Sequence, residues 1–168
     1  MDKLWSPWRS KYIDTFKPGN SSGENECLFC KIAKENRDKE NFLIHRAEKC
    51  FIIMNLYPYN SGHLMIVPYK HASSLKELDT DTNLDCMKML NLGCDILNDS
   101  IIPHGFNIGA NIGRVSGAGI EDHIHFHIVP RWNGDTNFMP VFNDVKVVSE
   151  AMDATFTKLS ASVSKILK

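Results

Sequence analysis

The segment Glu121 to Arg131 reads EDHIHFHIVPR, so His123, His125 and His127 alternate with Ile124, Phe126 and Ile128. Two chemistries want clustered imidazoles: metal ligation by neutral ring nitrogens, and nucleophilic or acid–base catalysis near neutral pH. Successive side chains of a strand point to opposite faces. The spacing therefore predicts a strand over His123 to Val129, with the three histidines on one face, the apolar residues turned to the core, and Pro130 ending it. A helix would splay the rings around its circumference. Just upstream, Asn111 to Gly119 reads NIGRVSGAG. Glycines let backbone N–H groups come close to an anion, and beside three imidazoles such a turn suggests a phosphate held within their reach. A second constellation, Cys27-Leu-Phe-Cys30, fits two unlinked thiols, a redox pair or half of a metal site. The redox reading wants a strand before the motif, whereas the polar loop Lys17 to Glu26 (KPGNSSGENE) precedes it.

These residues need a scaffold. Cys50 to Leu56 and His63 to Pro68 read as two strands joined by a turn at Pro58, Asn60 and Gly62, a hairpin. Leu84, Met87, Leu90, Cys94, Leu97 and Ile101 recur at helical spacing and predict a helix from about Thr82 to Asn98, capped by Asp79 or Asp81. Phe106 to Ile112 reads as a further strand. A last helix is predicted over Ser149 to Leu167, with Met152, Phe156, Leu159, Val163 and Ile166 on one face. This order implies an α+β fold, a mostly antiparallel sheet with helices packed on one side. His45 and His104 read as ordinary surface or loop residues.

The chain has 168 residues, 43% hydrophobic and 23% charged, with a formal net charge of -1. That is a globular composition and the size of a single domain, Met1 to Lys168, with an N-terminal arm up to about Glu26. The arm contains LWSPWRSKYI, whose Trp5, Trp8, Tyr12 and Ile13 need a surface to bury against. No long basic stripe supports nucleic-acid binding by phosphate neutralisation. No run of about 18 apolar residues would span a membrane, and the N-terminus lacks the apolar stretch of a secretory signal. The five cysteines do not read as a disulfide framework. Cys50, Cys86 and Cys94 sit in core-like contexts, and a reducing, cytoplasmic location is expected.

His123-Ile-His125-Phe-His127-Ile-Val129 resembles the histidine triad signature, His-φ-His-φ-His-φ-φ, and Gly62-His63-Leu-Met-Ile-Val-Pro68 resembles the strand that precedes it in that family. LWSPWRSKYI and PRWNGDTNF are similar to a bacterial subgroup resembling diadenosine tetraphosphate phosphorylases. The resemblance implies a nucleotide-phosphate hydrolase or transferase. His125 would attack the α-phosphorus and form a nucleotidyl-histidine, while His127 and His63 would hydrogen-bond the phosphate and orient the imidazole. Asn55 would bind ribose. Asn111 and the N–H groups near Gly117 and Gly119 would face the phosphate. Water or inorganic phosphate would resolve the intermediate, and no catalytic metal is required. In zinc-bearing relatives two Cys, a His after the preceding strand and the first triad His are ligands, which implies a structural zinc on Cys27, Cys30, His71 and His123. A homodimer is implied as well. Trp132 to Asn137 would form a polar loop touching the far half of a dinucleotide, with Trp132 stacked on a base, or else a plain loop with one packed Trp. Arg131 would pair with phosphate oxygens or stay solvated. The preferred substrate is a dinucleoside polyphosphate. Alternatives are a purine nucleoside phosphoramidate, a nucleotide-binding module with little turnover, and a metalloenzyme using all three histidines as ligands.

Overall fold

Two five-residue runs, CFIIM and LMIVP, carry no polar alternation, and this is what a strand buried on both faces requires. In the computed structural model, which describes residues 26–136 and 150–168, they form β2 (Cys50–Met54) and β3 (Leu64–Pro68), buried along their whole length. The arm LWSPWRSKYI and the end of PRWNGDTNF lie outside the described residues. Three further strands, β1 (Leu43–Arg46), β4 (Gly105–Ala110) and β5 (Phe126–Arg131), complete an antiparallel sheet in the order β1-β2-β3-β5-β4. The expected α+β architecture is present, and β1 is a strand that the sequence analysis does not predict; it carries half-buried His45, expected there as a surface or loop residue.

Both faces of the central strands are covered. Ile52, Met54, Leu64, Ile66, Phe126 and Ile128 pack against the long helix α2 (Thr80–Ile101) and the C-terminal helix α3 (Met152–Ile166). Phe51, Ile53, Met65 and Val67 face a short helix α1 (Leu28–Lys34) through Phe29 and Ile32. The two long helices thus share one side as expected, and α1, which begins inside the C-x-x-C motif, covers the other.

The α2 cap is Asp79, whose carboxylate accepts the Thr82 N–H at 2.8 Å and satisfies one open donor of the first turn. The buried stripe of α2 differs from the expected one. Leu90 and Leu97 face the core, but Leu84 and Met87 are 53% and 44% exposed, and Thr82, Cys86 and Gly93 take the inward positions. A Cβ on Gly93 would lie 2.5 Å from Ile128 Cδ1. The missing side chain sets how closely α2 approaches β5, and an apolar-periodicity argument does not register a glycine.

The histidine strand also differs at both ends. It is hydrogen-bonded into the sheet only from Phe126, because Ile124 donates its N–H to Ala72 O at 2.7 Å and not to β3. It does not stop before Pro130 but runs to Arg131. Pairing with β3 ends at Ile128, while β4 continues alongside to Arg131. The Pro130 carbonyl points to the β3 side, where Asn60 Nδ2 donates to it at 3.0 Å. The missing N–H therefore falls where no ladder bond is needed.

Candidate active site and metal cluster

His63 enters the site from the turn between β2 and β3. Gly62 closes that turn at φ 78°, a conformation that costs glycine little. Two donors face His63 Nδ1: the Tyr59 backbone N–H at 3.1 Å and Asn55 Nδ2 at 3.3 Å. Asn55 Oδ1 is occupied by the Tyr57 N–H at 2.9 Å. Nδ1 is therefore the acceptor, and the proton of neutral His63 sits on Nε2. From there it is donated to His127 Nδ1 at 2.9 Å. The same logic puts the His127 proton on Nε2. This buried atom has no hydrogen-bond partner among the described residues, so the chain of donors ends in an N–H open to a ligand. Burial first, and the neighbouring imidazoles second, push His63 down to about 3. Burial, then His125, pushes His127 down to about 4. Both rings are neutral at pH 7, which the relay needs.

His125 is ordered differently. Its Nδ1 donates to the main-chain carbonyl of His123 at 2.8 Å, which leaves the Nε2 lone pair free as a nucleophile. Burial lowers its pKa below the usual histidine value, so the unprotonated form is kept. Its ring lies 4.9 Å from that of His127 and 5.0 Å, edge to face, from Phe29.

His123 uses its other nitrogen. Nε2 donates to Pro68 O at 2.9 Å, and the Nδ1 lone pair turns toward Cys27 Sγ (3.3 Å), Cys30 Sγ (3.6 Å) and His71 Nδ1 (3.3 Å). Cys30 Sγ and His71 Nδ1 are also 3.3 Å apart, and all four atoms lie within 4.8 Å of one another. A tetrahedral ion with bonds of about 2.0–2.3 Å to N and S has ligand–ligand edges of roughly 3.3–3.8 Å, so the donor set fits one metal. Burial and the adjacent Cys27 push the Cys30 thiol up.

Other expected residues fall into place or away from it. Asn111 Nδ2 donates to the Tyr59 hydroxyl at 3.2 Å, at the start of the glycine-rich loop. Gly117, at φ 89°, has its N–H engaged by Arg114 O at 3.0 Å. It shapes the loop, and the next two amides, of Ala118 and Gly119, have no partner among the described residues. Trp132 stands elsewhere: its indole donates to Ile102 O at 3.1 Å, and it lines a cleft of about 470 Å³ with Ser61, Ile101, Asp135 and Lys158, by the C-terminal end of α2. Arg131 is committed to Asp135 (2.6 Å) and Asn107 (2.7 Å), which accounts for it without a phosphate. His104 is a loop residue that accepts the Asn133 N–H at 2.9 Å. Sequence reasoning missed Tyr59 and Phe29. An aromatic residue inside a predicted turn, and another inside a C-x-x-C motif, were the available signals.

The sequence profile of the HIT domain matches residues 36–134. The chain belongs to the HIT domain family. This HIT protein is 34% identical over 158 residues to the AP-4-A phosphorylase of Mycobacterium tuberculosis, an alignment covering 92% of this chain and 80% of that one. It is 24% identical over 137 residues to the adenosine 5'-monophosphoramidase of Schizosaccharomyces pombe, covering 82% and 98%. Among solved structures, a Zn-bound histidine triad family protein from Mycobacterium smegmatis superposes with a TM-score of 0.65 at 25% identity, covering 86% of this chain and 97% of that one.

Proposed function

We propose that this HIT-family enzyme of nucleotide hydrolysis or transfer cleaves dinucleoside polyphosphates through a nucleotidyl-histidine on His125. The observation that carries the reading is the tautomer of His125. With Nδ1–H held by the His123 carbonyl, Nε2 keeps a lone pair, on a ring 4.9 Å from that of His127, whose own Nε2–H is open. In the first step the Nε2–P bond forms and the bond from phosphorus to the leaving phosphate oxygen breaks. The His127 N–H and the amides of Ala118 and Gly119 balance the oxygens' charge. In the second step water or inorganic phosphate attacks phosphorus and His125 leaves. Asn55 and Asn111 are assigned to the nucleotide. Trp132, standing apart from the triad, is assigned to a remote portion of the substrate. The likeness to the AP-4-A phosphorylase favours a dinucleoside polyphosphate substrate and phosphate as acceptor. Incubation of diadenosine tetraphosphate with and without phosphate tests this. ADP plus ATP marks phosphorolysis and AMP plus ATP hydrolysis, and no product under either condition rejects the reading. A second reading, phosphoramidate hydrolysis, has the support of the likeness to the monophosphoramidase.

The four-ligand cluster is assigned one structural zinc. Bound there, the metal would neutralise the two thiolates and fix α1 and the loop after β3 to the segment carrying His125. His123 contributes to that cluster and not to proton transfer. A homodimer is proposed, with β4, an edge strand carrying exposed Ile108, as the available surface. Light scattering is expected to give twice the 19.1 kDa chain mass. A cytoplasmic location is proposed on the free thiols of Cys50, Cys86 and Cys94. No helix among the described residues is long and apolar enough to cross a membrane.

A further inference from the structure

Tyr59 lies in the turn before His63 and is 47% exposed, yet it is held on three sides. Its backbone N–H bonds His63 Nδ1. Its ring sits 4.6 Å from the His63 ring and is stacked on that of His127, at 5.7 Å and 28°. Its hydroxyl oxygen accepts from Asn111 Nδ2 at 3.2 Å. A phenol that accepts one hydrogen bond still has its own proton to donate, and this one has no acceptor among the described residues. The hydroxyl is thus anchored by an amide and presented to solvent from a ring stacked on the imidazole with the open Nε2–H.

We propose that Tyr59 is a substrate-contacting specificity residue, whose hydroxyl donates to an oxygen of the leaving phosphate chain. The inference rests on the polyphosphate reading above and deepens it. A polyphosphate leaving group offers anionic oxygens beyond the attacked phosphorus, and a hydrogen bond to a charged acceptor is stronger than a neutral one. The amine leaving group of a phosphoramidate offers no such oxygen. Tyr59 therefore selects anhydrides over phosphoramidates, while the stacked ring keeps water from the His63–His127 bond.

The test compares wild type with Tyr59→Phe, which keeps the ring and removes the donor. Equilibrium binding of ATP and of AMP is measured, then kcat/KM for diadenosine tetraphosphate and for adenosine 5'-phosphoramidate. ATP binding is expected to weaken about tenfold relative to AMP, the size of one charge-assisted hydrogen bond, and the kcat/KM ratio to fall by a similar factor. Asn111→Ala, which leaves the phenol but removes its anchor, lowers the same ratios by less. Equal weakening of ATP and AMP, or none, overturns the proposal, since a tyrosine that only supports the imidazoles would move both together. The binding ratio needs no turnover. A wild type inactive on diadenosine tetraphosphate would refute the substrate reading, while the ATP-to-AMP ratio would still decide Tyr59.

Discussion

The two ends of the triad segment use one residue type for opposite purposes. At the Cys27–Cys30 end, the His123 N–H is tied to Pro68 O and the Nδ1 lone pair turns inward to two sulfurs and His71. At the other end, His63 and His127 bond head to tail, so that an N–H and not a lone pair is left open. His125 stands between, with a lone pair presented singly. The difference lies in the acceptors: a backbone carbonyl against one nitrogen releases the other as a ligand or nucleophile, whereas an imidazole against it passes a donor along. Residue type alone does not assign a histidine's role; the group facing its second nitrogen does.

The sharpest way to break this comparison is to remove its middle. His125→Ala is expected to reduce turnover by about four orders of magnitude or more, as for other nucleophile deletions, and to leave nucleotide binding within a few-fold of wild type by titration. Residual activity within about tenfold, a barrier change of only ~1.4 kcal/mol, would move the nucleophile elsewhere. Next in size is the metal end. Cys27→Ser should lower metal content from about one zinc per chain and bring down the melting temperature, because ligand loss is coupled to folding. His125→Ala should keep its metal. Protein purified without chelator that holds no zinc, with both thiols readily alkylated, would remove the cluster from the comparison.

The relay end is expected to respond to pH. His63 and His127 titrate near 3 and 4 in the fold and near 6.5 in the unfolded chain. Between about pH 6.5 and 4 the unfolded state binds more protons. Stability is therefore full above that window and falls as pH drops through it. Replacing His127 with Gln should flatten the decline in chemical denaturation measured from pH 7 to 4, and an unchanged slope would mean that the ring is not held neutral. The smallest effect concerns the core beneath both ends. Gly93→Ala is expected to destabilise by about 1 kcal/mol, and Ile128→Val by a similar amount. Together they should cost less than the sum, since valine lacks the Cδ1 that the new methyl meets. Strict additivity would show that Gly93 is not there for Ile128.

Some of this was legible in the residues and some was not. The alternation HIHFH put three histidines on one face because a period of two in extended chain is unambiguous, and the resemblance to zinc-bearing relatives named Cys27, Cys30, His71 and His123, the four donors now found together. The order of strands and helices followed from apolar runs and spacing. The α2 register did not, since Thr82 and Gly93 face inward without being apolar. Helix α1 was missed because seven residues are too few to show a period. The limits of β5 depended on Ala72 and Asn60, partners distant in sequence. Tyr59 showed in the sequence only as an aromatic residue in a turn. Its significance comes from His127 and Asn111, which no local pattern connects to a turn.

The bond that fixes the proton on His125 ends on a main-chain oxygen, the carbonyl of His123. No side-chain replacement can delete that acceptor, and the genetic code offers no way to write it out. The tautomer of His125, the proposed nucleophile, is thus insulated from single substitutions in a manner that the His63–His127 pair, built of side chains alone, is not. Drift in sequence can erode the His63–His127 pair one residue at a time, but it can disturb the His125 tautomer only by shifting the peptide plane between residues 123 and 124. That plane is pinned on one side by the Ile124 bond to Ala72 and on the other by the His123 ring bond to Pro68. Swapping the amide for an ester at that peptide, by chemical synthesis, would reach what mutagenesis cannot.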